Sequence, residues 1–194
     1  SAGVDNTFNH LLPEHVAERA GYRRLMETVT PSVGHLGVYI GLKGTAEEIG
    51  LPRTNYWIYP SNDYDGALDA FLADPKAPFP VVYISFPSAK DPDYENRHPG
   101  TATIEIVAPA PYAWFEKWAD STWGKRGEEY EALKSELGER LMRYLYDKLP
   151  QLEGNRVAVV VFAVEPVFFA PLLGLSAMVR TSTGLFFRPA FRLT

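Results

Sequence analysis

The sequence contains no cysteine. Disulfides and thiolate nucleophiles are therefore excluded, and a reducing, cytoplasmic setting is the matching expectation. Positive charge is not in surplus either: the formal net charge is −5. A phosphate backbone calls for a basic surface, so nucleic acid is excluded as a partner. No run reaches the ~18–20 unbroken apolar residues of a spanning helix. The opening SAGVDNTF lacks the basic stretch leading into an apolar one that marks a signal peptide. Motifs of chemistry are missing as well. There is no G-x-G-x-x-G turn, no P-loop, no G-x-S-x-G elbow and no H-E-x-x-H helix. The four histidines, His10, His15, His35 and His98, have no metal-ligand spacing among themselves. His35 sits in an apolar run without an identifiable Asp or Ser partner, and reads as a hydrogen-bonded core residue. Asp91, Asp93 and Glu95 crowd one loop without the ligand order of a calcium loop, and read as a solvated acidic surface.

What is present can build a core: 46% of the 194 residues are hydrophobic, a share suited to one domain or to part of a larger one. The organising stretch is 80–107, PVVYISFPSAKDPDYENRHPGTATIEIV. Residues 81–86 favour a half-buried strand. In 101–107, Ala102, Ile104 and Ile106 alternate with Thr103 and Glu105, the period of a strand with one wet face. The two prolines of 88–100, Pro92 and Pro99, cannot sit inside a sheet, so this segment is expected to be a long ordered loop joining two antiparallel strands.

Further elements follow from local chemistry. Short helices are expected at 13–20 and 22–28, with Pro13 in a first turn and Thr30-Pro31 as a stop. Residues 33–42 form a strand in which Gly34, Gly37 and Gly41 signal either sheet curvature or close approach of a flat ligand. Thr45-Ala-Glu-Glu48 has capping-box spacing. Residues 55–59 form an aromatic strand, and 66–73 a helix with Leu68, Phe71 and Leu72 on one face. Trp114, Phe115 and Trp118 stand at helical spacing. Residues 128–149 form the clearest helix, with Leu133, Leu137, Leu141, Leu145 and Leu149 as a buried stripe. Glu136–Arg140 and Glu139–Arg143 have the favourable i,i+4 order. Taken together these define an α+β fold: an antiparallel sheet with a long central hairpin, packed by several helices including one long helix.

SFPSAKDPDY, HPGTATIEIV and FEKW together resemble the middle of the FAD-dependent phytoene desaturase, carotenoid isomerase and retinol saturase family. The resemblance extends over 1–155. It implies a substrate-side domain fragment, 1–156, of a flavin oxidoreductase acting on carbon–carbon double bonds of carotenoids, retinoids or other polyenes. FAD is then expected in the intact enzyme but not on this chain alone, because the Gly-rich turn is missing. The flavin-binding domain becomes a missing partner, and a peripheral membrane contact is a further expectation. Ser1, Ala2 and Gly3 match a family segment lying close to the flavin. The aromatic set Tyr39, Tyr56, Trp57, Tyr59, Tyr83 and Phe86 is either ordinary core or the lining of a groove for an apolar ligand. Tyr83, Phe86 and Tyr59, with Ser88 and Lys90 as polar groups, are the candidate substrate-binding residues. No catalytic residue and no metal site is identified, so whether the isolated chain is an enzyme stays open. The alternatives are a non-catalytic isoprenoid- or lipid-binding module and a non-functional truncated product.

After Arg156 the resemblance stops. Segment 157–194 holds one acid, Glu165, and three arginines. Residues 157–164 suit a buried strand, but beyond them apolar runs adjoin Pro and Gly with no clean period. A divergent, poorly packed end or an altered reading frame would account for this. Codons able to encode residues 177–185 could, in another frame, encode His-Gly-Ala-Asp-Val-Tyr-Gly-Leu, close to the Gly-x-x-Tyr-Gly segment that the resemblance implies.

Overall fold

The computed structural model describes residues 7–19, 21, 34–122, 124–154 and 156–164, the last of these by its backbone. The helix expected at 22–28, Ser1–Gly3 and everything from 165 onward lie outside the described residues. Five strands form one sheet: β1 (Gly34–Lys43), β2 (Tyr56–Ile58), β3 (Val82–Ser85), β4 (Thr101–Ala110) and β5 (Arg156–Val164). Their order is β2-β3-β4-β1-β5, and every neighbouring pair is antiparallel. The α+β class and the central hairpin, β3–β4, are thus as the sequence predicts. The strand expected at 157–164 is present as β5 and pairs with β1.

Period-two alternation decides which face each side chain takes. Leu36, Val38, Ile40 and Leu42 of β1 are buried. Opposite them stand Ala108, Ile106, Ile104 and Ala102 of β4, also buried. Val82 and Ile84 continue this layer on β3. The long helix, Glu128–Lys148, covers it with Leu137, Leu141, Met142 and Leu145. Three glutamates in its first turn complement the positive helix end, and Pro150 follows its last residues.

We label the helices in chain order: α1 (Glu14–Arg19), α2 (Ala46–Ile49), α3 (Tyr64–Ala73), α4 (Pro87–Lys90), α5 (Tyr94–Arg97) and the long α6. The capping box is formed: Thr45 Oγ1 accepts from Glu48 N at 3.1 Å, and the Glu48 carboxylate accepts from Thr45 N at 2.9 Å. Four expectations need correction. The hairpin connection is not simply a loop, because α4 and α5 occupy it. Pro87 opens α4 at a position where a missing N–H costs nothing. On α3 only Phe71 reaches the core, ringed by Phe79 and Trp114 at 5.4 and 4.9 Å; Leu68 and Leu72 are exposed. Trp114, Phe115 and Trp118 lie in two successive 3-10 turns rather than one helix. Lastly, Arg140 does not pair with Glu136. Its guanidinium donates to the carbonyls of Pro75 and Ala77 at 2.5 and 2.6 Å and lies 4.7 Å from the Phe79 ring. Unpaired carbonyls beside the core are costlier than a surface ion pair is worth, so they take the guanidinium.

Candidate functional site

The sheet has a second face, built from the other residues of the same strands. Register places Trp57, Tyr83, Val107 and Gly37 in one row across β2, β3, β4 and β1. The next row holds Ser85, Glu105 and Tyr39, and the one after it Thr103 and Gly41. Trp57 and Tyr39 are exposed, and Tyr83, Thr103, Glu105 and Val107 are half-buried. Gly37 and Ser85 on this face are buried, but the apolar core cluster lies on the α6 side. Neighbouring strands lie ~4.8 Å apart, so the row from Trp57 to Gly37 runs about 14 Å.

The apolar part of the face is aromatic at one end. Trp57 and Tyr83 pack with tilted rings, their centres 4.7 Å apart. At the other end Gly37 leaves room for Tyr39, since a β-carbon there would lie 2.9 Å from Tyr39 Cε2. The close approach signalled by that glycine is therefore made by the chain's own tyrosine ring. Glu105 stands opposite Tyr39 in register. Partial burial, followed by the charge and the hydrogen-bonding pull of the Glu105 carboxylate, raises the Tyr39 pKa above the ordinary tyrosine value.

The polar candidates divide. Lys90 extends from α4 to the end of the Ser85 row, donating to Ser85 Oγ at 2.8 Å and to Asn55 Oδ1 at 2.5 Å. It belongs to the open face. Ser88 does not: it is buried, accepts from Thr103 N at 3.0 Å and donates to Thr103 O at 3.2 Å. Both bonds clasp α4 onto β4, which gives Ser88 a structural part. The aromatic candidates divide too. Tyr83 faces outward, whereas Phe86 is fully buried and meets Tyr56 edge-on at 5.4 Å. Tyr59 lines an open groove of about 560 Å³ at the β2 edge, with Asn55, Tyr56, Trp57, Ile58 and Lys148. His35 is exposed rather than in the core. The sequence reading missed Glu105 as a site residue; its place in the wet alternation of β4, opposite a tyrosine between two glycines, was the available signal. Asp91 and Asp93 both pair with Arg97, and no metal-binding cluster occurs among the described residues.

A dinucleotide cofactor needs a turn that leads from a strand directly into a helix with free N–H groups at its start. At β1–α2 the helix start is occupied by the chain's own Glu48 carboxylate, which repels a pyrophosphate. At β3–α4 the first helical residue is Pro87, which has no N–H to donate. Neither of these two turns therefore offers a site for the phosphate end of FAD.

No family model matches the chain. Curated relatives do. The chain is 40% identical over 159 residues to the all-trans-retinol 13,14-reductase of Rattus norvegicus, covering 80% of this chain and 26% of the relative. The Homo sapiens protein of the same name is 39% identical over the same shares. A Danio rerio protein named inactive all-trans-retinol 13,14-reductase is 33% identical over 171 residues, 86% of this chain and 28% of the relative. An α+β sheet domain is thus matched along most of its length to one set of reductases. Over that stretch the chain belongs to the all-trans-retinol 13,14-reductase, or retinol saturase, family. It spans about a quarter of the length of the curated relatives it matches.

Proposed function

We propose that this chain is the substrate-side part of an FAD-dependent oxidoreductase acting on carbon–carbon double bonds of a retinoid or related polyene. The carrying observation is the open aromatic face, Trp57–Tyr83–Val107–Gly37, in a chain whose relatives are named for reduction of retinol. A polyene is flat and apolar, so a surface with large rings, an aliphatic side chain and few charges suits it. The flavin, held elsewhere in the complete protein, supplies the electron chemistry. Residues of this chain orient the substrate and exclude water. Tyr83 is the central contact, with Lys90 at the polar margin and Tyr59 at the β2 edge.

The proposal includes a peripheral membrane contact. Tyr64, Leu68 and Leu72 are exposed at i, i+4 and i+8 on α3, and Tyr59 meets Tyr64 at 4.9 Å. Tyrosine and leucine on one outward stripe suit a lipid interface. No helix among the described residues is long and apolar enough to cross a membrane.

A non-catalytic isoprenoid-binding module is the second reading. It is favoured by the match to a relative named inactive, because the same stretch then occurs without that activity. The test is Tyr83→Ala in the complete, flavin-loaded protein. The expected outcome is at least a tenfold fall in kcat/KM for a polyene, with flavin content and melting temperature nearly unchanged. Unchanged turnover removes the open face from the reaction. Polyene binding that depends on Tyr83, with no turnover in the wild type, selects the binding module.

A further inference from the structure

Lys90 does not pair with the acids that follow it in sequence. Asp91 and Asp93 are both held by Arg97. The Lys90 ammonium meets two neutral oxygens instead, Ser85 Oγ at 2.8 Å and Asn55 Oδ1 at 2.5 Å, and among the described residues it makes no ion pair. Asn55 directly precedes β2. As the β2–β3 register continues past Tyr56–Ile84, Asn55 falls opposite Ser85. Two residues along the strands, about 7 Å away, stands the ring pair Trp57–Tyr83. A polar end and an aromatic platform thus adjoin on the open face.

The hydrogens left over at the polar end are all of one kind. Lysine only donates, so both of its neighbours must accept from it. Lys90 keeps a third N–H. Ser85 is 5% exposed, and its hydroxyl proton has no acceptor among the described residues. Asn55 turns its carbonyl to Lys90, so its NH2 group points elsewhere and donates to no described residue. Three side chains therefore offer donors around one positive charge, and an anionic acceptor completes them. The charge also sets a limit. Glu105 stands across from Ser85 in register, so Lys90 balances one arriving negative charge and a second meets repulsion. Lys148 lines the β2-edge groove with Asn55 but makes no bond to this set. A carboxylate carries one charge and about four lone-pair sites, which suits three donors.

We propose that Asn55, Ser85 and Lys90 form a carboxylate-binding site at the end of the Trp57–Tyr83 row, taking a long-chain acid whose apolar body lies on those rings. This rests on the reading that the open face holds an apolar ligand, and it adds a second ligand class that shares the rings with the proposed polyene.

The test measures dissociation constants by fluorescence on the complete protein. The probes are parinaric acid and its methyl ester, which share a conjugated chain and differ in the charge. Wild type is expected to prefer the acid by at least about tenfold, the worth of one hydrogen bond to a charged group. Lys90→Met should bring that preference toward unity by weakening the acid alone, with flavin content unchanged. Asn55→Leu should reduce the preference less. Asn55 is exposed, so this variant carries the test if Lys90→Met fails to fold. Equal binding of acid and ester by wild type overturns the site. An equal loss of both probes in Lys90→Met does so too, since Lys90 then only ties its helix to β3. If Tyr83→Ala weakens both probes while Lys90→Met weakens neither, the face reading stands and the carboxylate site falls. If Tyr83→Ala leaves both unchanged, the apolar body lies elsewhere and both fall. Dodecyl phosphate that displaces the acid probe better than dodecanoate, with the advantage lost in Lys148→Met, makes this a site for dianions and overturns the assignment.

Discussion

The two faces of the sheet come from alternate residues of the same strands, yet they differ in almost every property. One is a sealed aliphatic layer: Leu36, Val38, Ile40 and Leu42 against Ile104 and Ile106, with α6 above it. The other mixes glycine, exposed aromatic rings, threonine and one carboxylate. A face that only had to be wet would not need Trp57 at 62% exposure. A face that only had to be packed would not carry Glu105. On the proposed reading, stability and recognition fall on opposite sides of one set of strands, so substitutions should separate them.

The largest effect is expected in the sealed layer. Leu141→Ala removes a fully buried leucine between α6 and the sheet, and should cost about 2–5 kcal/mol in urea unfolding. Its effect on ligand affinity should not exceed what the lost stability explains. A cost below about 0.5 kcal/mol would mean that α6 does not seal this side.

Arg140→Met comes next. It leaves the carbonyls of Pro75 and Ala77 without the guanidinium and removes the contact with Phe79. The expected loss is about 1–3 kcal/mol. If the role were an ion pair with Glu136, the loss would fall under ~1 kcal/mol and fade with salt.

On the open side the order reverses. Tyr83→Ala should cost roughly 0.5–1.5 kcal/mol through the lost ring contact with Trp57, while its expected effect on polyene turnover is large. Smaller still is Leu68→Ser. Leu68 is 40% exposed, so stability should stay within about 0.5 kcal/mol, whereas co-sedimentation with zwitterionic lipid vesicles should fall. A clear loss of stability would show that this stripe is covered within the protein.

Most of this contrast could be read before the structure, because a period of two in 101–107 names the buried set outright. The Leu137–Leu141–Leu145 stripe likewise names the helix that covers it. The outward side was harder. Val81–Phe86 offers an aromatic at Tyr83 and another at Phe86, and alternation alone does not say which meets the helix. Only the register with Ile106 and Val107 does. Ser88 looked like a ligand because it precedes Lys90, but its bonds to Thr103 span 15 residues, a separation that no local pattern reveals. Leu68 and Leu72 share a helix face with Phe71 in the sequence, but apolar spacing on a helix specifies a stripe, not what lies against it.

The smallest expected effect is the most local. Tyr39 has a pKa raised by partial burial first, then by the charge and hydrogen-bonding pull of the Glu105 carboxylate. The fold therefore favours the neutral phenol. Its contribution is fully present below the unfolded tyrosine value of about 10 and is lost as pH rises through the higher folded value. Tyr39 is 44% exposed, so solvent screens the effect, and the readout is titration rather than stability. Subtracting the phenolate absorbance of Tyr39→Phe from that of wild type isolates one tyrosine among 11. That difference curve should titrate above free tyrosine, and Glu105→Gln should move it down, because two of the three causes depend on the carboxylate. Gly37→Ala should move it as well, since the added β-carbon pushes on the ring at Cε2. If the curve ignores both substitutions, the phenol is not held between Gly37 and Glu105, and the open face loses the feature that sets it apart from an ordinary wet one.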